Sequence, residues 1–188
     1  MRLFVAVPCG GPLREALTSR LDASPPGLDV RWIHPRTWHL TLQFLGEWPE
    51  KRVAGLREGL APVADRSPFV MPAGGLGAFP NLRRPRVLFL QLGDDGAAAR
   101  LAGAVREKVA EIWPDGPQDP KRFKAHLTLA RIRRPLGDEE LKMLQNMDLS
   151  GMPDLLADRF TLYSSVLGPA GARHGVEDEY GLRKKGEK

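Results

Sequence analysis

Two copies of the tetrapeptide His-Leu-Thr-Leu occur in this chain, at residues 39–42 and 126–129, and they contain two of its four histidines. If each copy lies on a β-strand, its histidine and threonine point to one face and its leucines to the other. Two imidazoles can donate and accept a proton in a single step near neutral pH. Threonine hydroxyls can hold phosphate oxygens. The set suits metal-free cleavage of a phosphodiester, and a strained cyclic phosphate is the ester that least needs a metal.

The spacing of the two copies indicates whether they form a functional site. One His-x-Thr-x sequence on a strand is most often part of a core or a sheet edge, whereas two copies at equivalent points of a repeat favour a functional site. The histidines are 87 residues apart, and the same shift carries Leu3 onto Leu90 and residues 12–23 onto 99–110. Each of these matches a predicted element with an element of the same type. We therefore predict one domain over residues 1–188, made of two interleaved lobes of a duplicated unit.

The elements that must position the motifs follow the same order in both halves. Apolar runs at residues 2–8 and 86–92 predict buried strands, and the two motif segments alternate as strands do. Apolar residues at helical spacing follow each of these strands. The pattern predicts an α+β fold with two pseudo-symmetric lobes, whose antiparallel sheets form a central cleft with the helices outside.

Charge and composition limit the class of partner. The net charge is +5 and the pI about 9.7, with basic clusters at residues 83–86, 121–124 and 131–134 and near the end at 184–185. An excess of base favours an anionic partner. The single cysteine excludes an internal disulfide framework, and the N-terminal apolar run is too short for a membrane span. We expect a cytoplasmic protein without a membrane partner.

A metal site is the alternative use of the histidines. His34 and His174 are the remaining two, and no carboxylate or thiol cluster completes a tetrahedral set with any of the four. We therefore expect no metal and no other cofactor. His34, beside Pro35, is predicted to lie in a loop, and His174, in the glycine-rich tail, at the surface.

The motifs and their surroundings resemble the two-histidine phosphoesterase superfamily. Within it, the segments "VRWIHPRTWHLTLQFLGEW", "GGLGAFPNLRRPRVLFL" and "FKAHLTLARIRR" are similar to those of the RNA 2',3'-cyclic phosphodiesterases, also called 2'-5' RNA ligases. The resemblance implies a bilobal fold and hydrolysis of a 2',3'-cyclic phosphate to a 2'-phosphomonoester. It implies that His39 is the proton donor and His126 the proton acceptor, with these roles exchanged if the reaction runs backward as ligation. Thr41 and Thr128 take the place of the phosphate-holding hydroxyls.

Three further residues are candidates for substrate contacts. Arg131 matches a family position that contacts substrate, yet strict alternation from His126 turns it away, so a bulge or the strand end must bring it round. Phe44 and Phe79 are candidates for stacking on a base. For Phe44 we expect core packing in preference, whereas for Phe79 the two roles are about equally supported. In the tail, charged residues replace the apolar closing strand of the family, which predicts a short or frayed last strand.

The leading interpretation is an enzyme that acts as a monomer on RNA with 2',3'-cyclic phosphate or 2'-phosphate ends, tRNA fragments being one candidate. Two alternatives stay open. A single-stranded RNA-end binding module without turnover would use the same basic clusters and aromatic residues. A phosphodiesterase for a small cyclic nucleotide would differ only in substrate.

Overall fold

The computed structural model describes residues 1–22, 28–116, 122–168 and 171–184, so Lys121 and Lys185 of the basic clusters lie outside the described residues. The strands and helices that the sequence predicts occur in the predicted order, together with additional short strands. The strands are β1 (Arg2–Pro8), β2 (Arg31–Trp32), β3 (His39–Glu47), β4 (Phe69–Met71), β5 (Ala73–Phe79), β6 (Val87–Leu92), β7 (His126–Arg131), β8 (Leu155–Ala157), β9 (Arg159–Gly168) and β10 (Gly171–Gly181). The helices are α1 (Gly11–Asp22), α2 (Val53–Leu60), α3 (Ala97–Ile112) and α4 (Asp138–Gln145).

All strand pairs are antiparallel among the described residues, and most strands form one eight-stranded sheet. Its order is β10-β9-β1-β3-β7-β6-β5, with β2 beside β7. The predicted α+β class is confirmed. The two motif strands, β3 and β7, meet where Leu40 pairs with Leu127. These two positions are 87 residues apart, so the pair that joins the motif strands links equivalent positions of the predicted repeat.

The apolar pattern explains which face of the sheet the helices cover. The motif leucines Leu40, Leu127 and Leu129 are fully buried, and Leu42 is nearly so. α3 packs against β3 and against α2, and its apolar face lies in the same core. Burial of one leucine side chain contributes about 2 kcal/mol, so these leucines hold the motif strands firmly to the helical layer. The opposite face of both strands is left for the polar motif residues.

The register of the motif strands is interrupted at equivalent places. Along β1 and β3, Val5 pairs with Gln43 and Ala6 with Thr41, so Leu42 has no partner. Along β6 and β7, Phe89 pairs with Thr128 and Leu88 with Ala130, so Leu129 is skipped in the same way. Each strand therefore contains a bulge one residue after its motif threonine. Residues beyond each bulge change faces relative to strict alternation.

The C-terminal segment corrects one expectation. The sequence predicts a short or frayed last strand, but β10 has 11 residues and pairs along β9 from Gly171 to Gly181. Apolar composition was the wrong criterion here, because β10 is the edge strand, and its backbone bonds to β9 require no apolar side chains on the solvent side.

Candidate active site

The two motifs lie next to each other at the centre of the sheet. Because Leu40 on β3 pairs with Leu127 on the antiparallel β7, the neighbouring residues His39 and Thr41 approach the motif residues of the other strand. The four histidine and threonine side chains are half-buried, in contrast to the fully buried leucines between them. The predicted division into a polar face and a leucine face is confirmed.

A cavity of about 690 Å³ opens on the polar face. It is lined by His39, Thr41, Thr128 and Arg131, together with Phe44. His126 does not belong to the described residues that line it, but lies two residues before Thr128 on the same face of β7. Phe79 likewise lies outside the lining and packs against His126, with ring centroids 5.2 Å apart.

Both imidazoles are oriented by the backbone two residues upstream. His39 Nδ1 lies 2.7 Å from the carbonyl oxygen of Thr37, and His126 Nδ1 lies 2.6 Å from that of Lys124. A carbonyl oxygen only accepts hydrogen bonds, so each Nδ1 carries a hydrogen and donates it. Each Nε2 is then the atom that accepts or delivers a proton. No sequence pattern indicates these contacts, because they use backbone atoms.

Each imidazole also packs against a phenylalanine of the neighbouring strand. The ring centroid of His39 lies 4.9 Å from that of Phe4 on β1, and the centroid of His126 lies 5.2 Å from that of Phe89 on β6. Burial lowers the pKa of His39 from 6.5 to about 4, although the hydrogen bond to Thr37 opposes this shift. Burial also lowers the pKa of His126. Both imidazoles are therefore neutral at pH 7 in the free protein.

Arg131 is brought to the cavity by the bulge in β7. Strict alternation turns Arg131 away from His126 and Thr128, but the skipped Leu129 reverses the facing of the residues that follow. The side chain is exposed and lines the cavity. Arg131 pairs with Arg31 on β2 as well as with Val87, so two guanidinium-bearing residues are neighbours at this rim.

Phe44 corrects a second expectation. We expect it in the core from the apolar character of its segment, but it is 52% exposed and lines the cavity. The reason is the bulge at Leu42, which acts on β3 as the bulge at Leu129 acts on β7. Phe44 is thus the counterpart of Arg131, 87 residues earlier in the chain.

His174 corrects a third expectation and is the site residue that sequence reasoning missed. It is predicted at the surface, but it is half-buried, lines the cavity, and contacts His39 edge-on with ring centroids 5.6 Å apart. Its Nδ1 is buried and has no hydrogen-bond partner in the described part of the chain. Only the long pairing of β10 with β9 brings this residue across the sheet, and no local pattern marks it.

Several arginines contribute to the lining of the cavity. Arg2, Arg31 and Arg173 line it in addition to Arg131, which makes it attractive to phosphate groups. Among the described residues, no cluster of three or more histidine, cysteine or acidic side chains could hold a metal ion. None of the described helices has the length and apolar character needed to cross a bilayer.

Comparison with known proteins gives consistent results. The family model described as "LigT like Phosphoesterase" matches residues 10–89. An RNA 2',3'-cyclic phosphodiesterase of Archaeoglobus fulgidus is 34% identical over 171 residues, which cover 91% of this chain and 94% of the relative. A protein of the same name from Thermus thermophilus is 32% identical, with 97% and 91% of the two chains covered. A crystal structure of a Thermus thermophilus protein superimposes with a TM-score of 0.83 at 30% identity, covering 98% of this chain and all of the other.

Proposed function

Because the chain belongs to the LigT-like phosphoesterase family, we propose that it hydrolyses RNA 2',3'-cyclic phosphate ends to 2'-phosphomonoesters without a metal ion. The observation that carries the proposal is the pairing of Leu40 with Leu127, which sets the two His-x-Thr-x motifs side by side next to a cationic cavity. The relatives from Archaeoglobus fulgidus and Thermus thermophilus are named RNA 2',3'-cyclic phosphodiesterases, which supports the RNA substrate.

In the proposed reaction, His126 Nε2 accepts a proton from a water molecule as the water oxygen attacks phosphorus. The bond between phosphorus and the 3'-oxygen breaks, and the electron pair of that bond stays on the oxygen. His39 Nε2–H delivers a proton to this oxygen, which leaves a free 3'-hydroxyl and a 2'-phosphate. The two upstream carbonyls support these roles by fixing each Nδ1–H, so that only Nε2 exchanges protons.

The proton donor must be charged before it can act, yet burial keeps the pKa of His39 near 4 in the free protein. An anionic phosphate bound beside the ring stabilises the imidazolium and raises this pKa. Binding of the substrate phosphate therefore favours protonation of His39, the proposed proton donor. The buried setting then favours release of the proton once the leaving oxygen begins to develop negative charge.

The phosphate is held in this proposal by Thr41, Thr128 and Arg131, which all line the cavity. Two hydroxyls on adjacent strands and a guanidinium fork can engage both non-bridging oxygens. Phe44 lines the same cavity and offers a face to a nucleobase. Phe79 packs beside His126 and is a second candidate for stacking.

The experiment that tests this function is incubation of the protein with an oligoribonucleotide that ends in a 2',3'-cyclic phosphate, with EDTA present. We expect a 2'-phosphate product and a rate that EDTA does not change. A 3'-phosphate product would refute the assignment of the leaving oxygen, and loss of activity in EDTA would refute the metal-free mechanism.

Tight, salt-sensitive RNA binding without product would favour the binding-module alternative, and preference for a cyclic mononucleotide would favour the small-substrate alternative. Adding an RNA with a free 5'-hydroxyl tests ligation, in which the 5'-oxygen attacks phosphorus in place of water, the 3'-oxygen leaves, and a 2'-5' bond forms.

A further inference from the structure

The two histidines have nearly equivalent surroundings, so their geometry alone does not explain why they differ in role. Each Nδ1 is held by the carbonyl two residues upstream, and each ring packs on a phenylalanine of the adjacent strand. A site built from a repeat needs some asymmetric feature if one imidazole is always the acid and the other always the base.

The asymmetry lies in the residues that supply those carbonyls. Thr37 and Lys124 occupy the equivalent position, but one side chain is neutral and the other is a cation. The Thr37 hydroxyl donates to the His34 carbonyl oxygen at 2.8 Å. The Lys124 ammonium lies 5.1 Å from the centroids of both Phe79 and Phe89, and both of those rings contact His126.

We propose that Lys124 is a positioning residue, acting through its charge, that makes His126 the proton acceptor of the pair. The inference rests on the acid–base mechanism proposed above. A cation close to an imidazole disfavours the imidazolium form, so the ring stays neutral and free to take a proton from water. Burial keeps both rings neutral in the free protein, and it lowers the pKa of His39 to about 4 without a cation at the equivalent position. A bound phosphate raises the pKa of both rings, and at His126 the Lys124 ammonium opposes this rise, so His126 stays the proton acceptor.

The environment of His126 makes this charge effective. The cation–π contacts hold the ammonium over the aromatic rings that also pack on His126, while its carbonyl fixes the imidazole. The charge of Lys124 lowers the pKa of His126 in addition to the effect of burial. His39, which interacts electrostatically with His126 across the strand pair, and Arg131, at the far end of β7, both remain when Lys124 is changed.

The size of the effect follows from distance. The ammonium is 5.1 Å from rings whose centroids are 5.2 Å from that of His126, so the two charges would be separated by less than roughly 10 Å. At an effective dielectric constant between those of protein and water, this separation moves the titration of His126 by roughly half to one pH unit. Removing the charge should move the acidic limb of the pH–rate profile upward by that amount.

The test compares Lys124→Met with Lys124→Arg, which keeps the charge. Lys124 is exposed, so neither change should disturb folding. For kcat/KM on the cyclic-ended oligonucleotide, we expect the acidic limb of Lys124→Met to shift upward, so that its activity at low pH falls about three- to tenfold relative to neutral pH. The profile of Lys124→Arg should match that of the parent protein.

NMR titration of the His126 ring, assigned with a His126→Asn variant, gives a readout that does not depend on turnover. We expect the same upward shift in Lys124→Met. An unshifted titration in an active variant would overturn the role of Lys124 and leave the proposed function standing. A fall in kcat/KM that is equal at every pH and restored by arginine would also overturn it, since Lys124 would then bind substrate. An inactive parent protein would instead refute the proposed function.

Discussion

The low pKa of His39 predicts a specific dependence of stability on pH. The unfolded chain binds a proton at this residue near pH 6.5, whereas the folded protein does so only near pH 4. Between these values the unfolded state holds more protons, so the free energy of unfolding decreases as the pH falls from about 6.5 towards 4. Above pH 6.5 the residue contributes no pH dependence.

The magnitude follows from the size of the shift. A shift from 6.5 to about 4 corresponds to roughly 3 kcal/mol at 1.36 kcal/mol per unit. Because the His39 side chain is only half-buried, solvent screening reduces this to about 2–3 kcal/mol. Since a domain of this kind is stable by only about 5–15 kcal/mol, the effect is large enough to measure.

The assay is urea unfolding at pH 7.5 and pH 4.5 for the parent protein and a His39→Gln variant. Glutamine stays neutral, so the variant should lose about 2–3 kcal/mol less stability over this interval than the parent protein does. Comparing the two proteins cancels the titration of the carboxylates. Equal pH dependence in His39→Gln and the parent would refute the buried, neutral state of His39.

Three further predictions concern the cavity wall. Arg131→Met should lower kcat/KM about 30- to 100-fold, because charge-assisted hydrogen bonds to phosphate are lost. Arg133→Met changes an exposed arginine two residues away and should have little effect. Equal losses in both variants would contradict the orientation of Arg131 by the bulge. Phe44→Ala should raise KM for an oligonucleotide by roughly tenfold, because stacking on a base is lost. The free energy of unfolding should stay nearly unchanged, because the ring is 52% exposed. A large fall in melting temperature would indicate a core role instead. His174→Gln should retain more activity than His174→Phe, because glutamine can still donate a hydrogen bond into the cavity. The reverse order would show that His174 acts only by packing against His39.

The sequence was sufficient for the framework of the site. Strand periodicity placed the motif histidines and threonines opposite buried leucines, and the repeat spacing placed the two motifs at equivalent points. The description of the chain as two interleaved lobes stays a prediction, and the strands of both halves form one continuous sheet through the Leu40–Leu127 pair.

What periodicity could not reveal is the effect of single-residue irregularities. A bulge leaves no mark in an apolar run such as that around Leu42, yet it turned Phe44 from the predicted core to the cavity. A bulge at Leu129 likewise turns Arg131 towards the cavity, and only the family resemblance indicated this orientation. The carbonyls of Thr37 and Lys124 that orient the imidazoles belong to the backbone, so no sequence pattern predicts these contacts either.

Long-range pairing accounts for the remaining misses. β4 and β8, with three residues each, pair with one another from distant parts of the chain and are too short to show a pattern. β10 is charged on its exposed side, so its composition suggested fraying instead of an 11-residue strand. Its pairing with β9 is also what delivers His174 to the cavity.

The central claim is that one imidazole from each motif is required for a single hydrolytic step. The most direct measurement is the rate of hydrolysis of a 2',3'-cyclic-phosphate RNA end by His39→Asn and His126→Asn, with far-ultraviolet circular dichroism to confirm folding. General acid and base catalysis each contribute about 10²- to 10⁴-fold, so each variant should lose activity by at least two orders of magnitude. Hydrolysis at the parent rate by either folded variant would contradict the account.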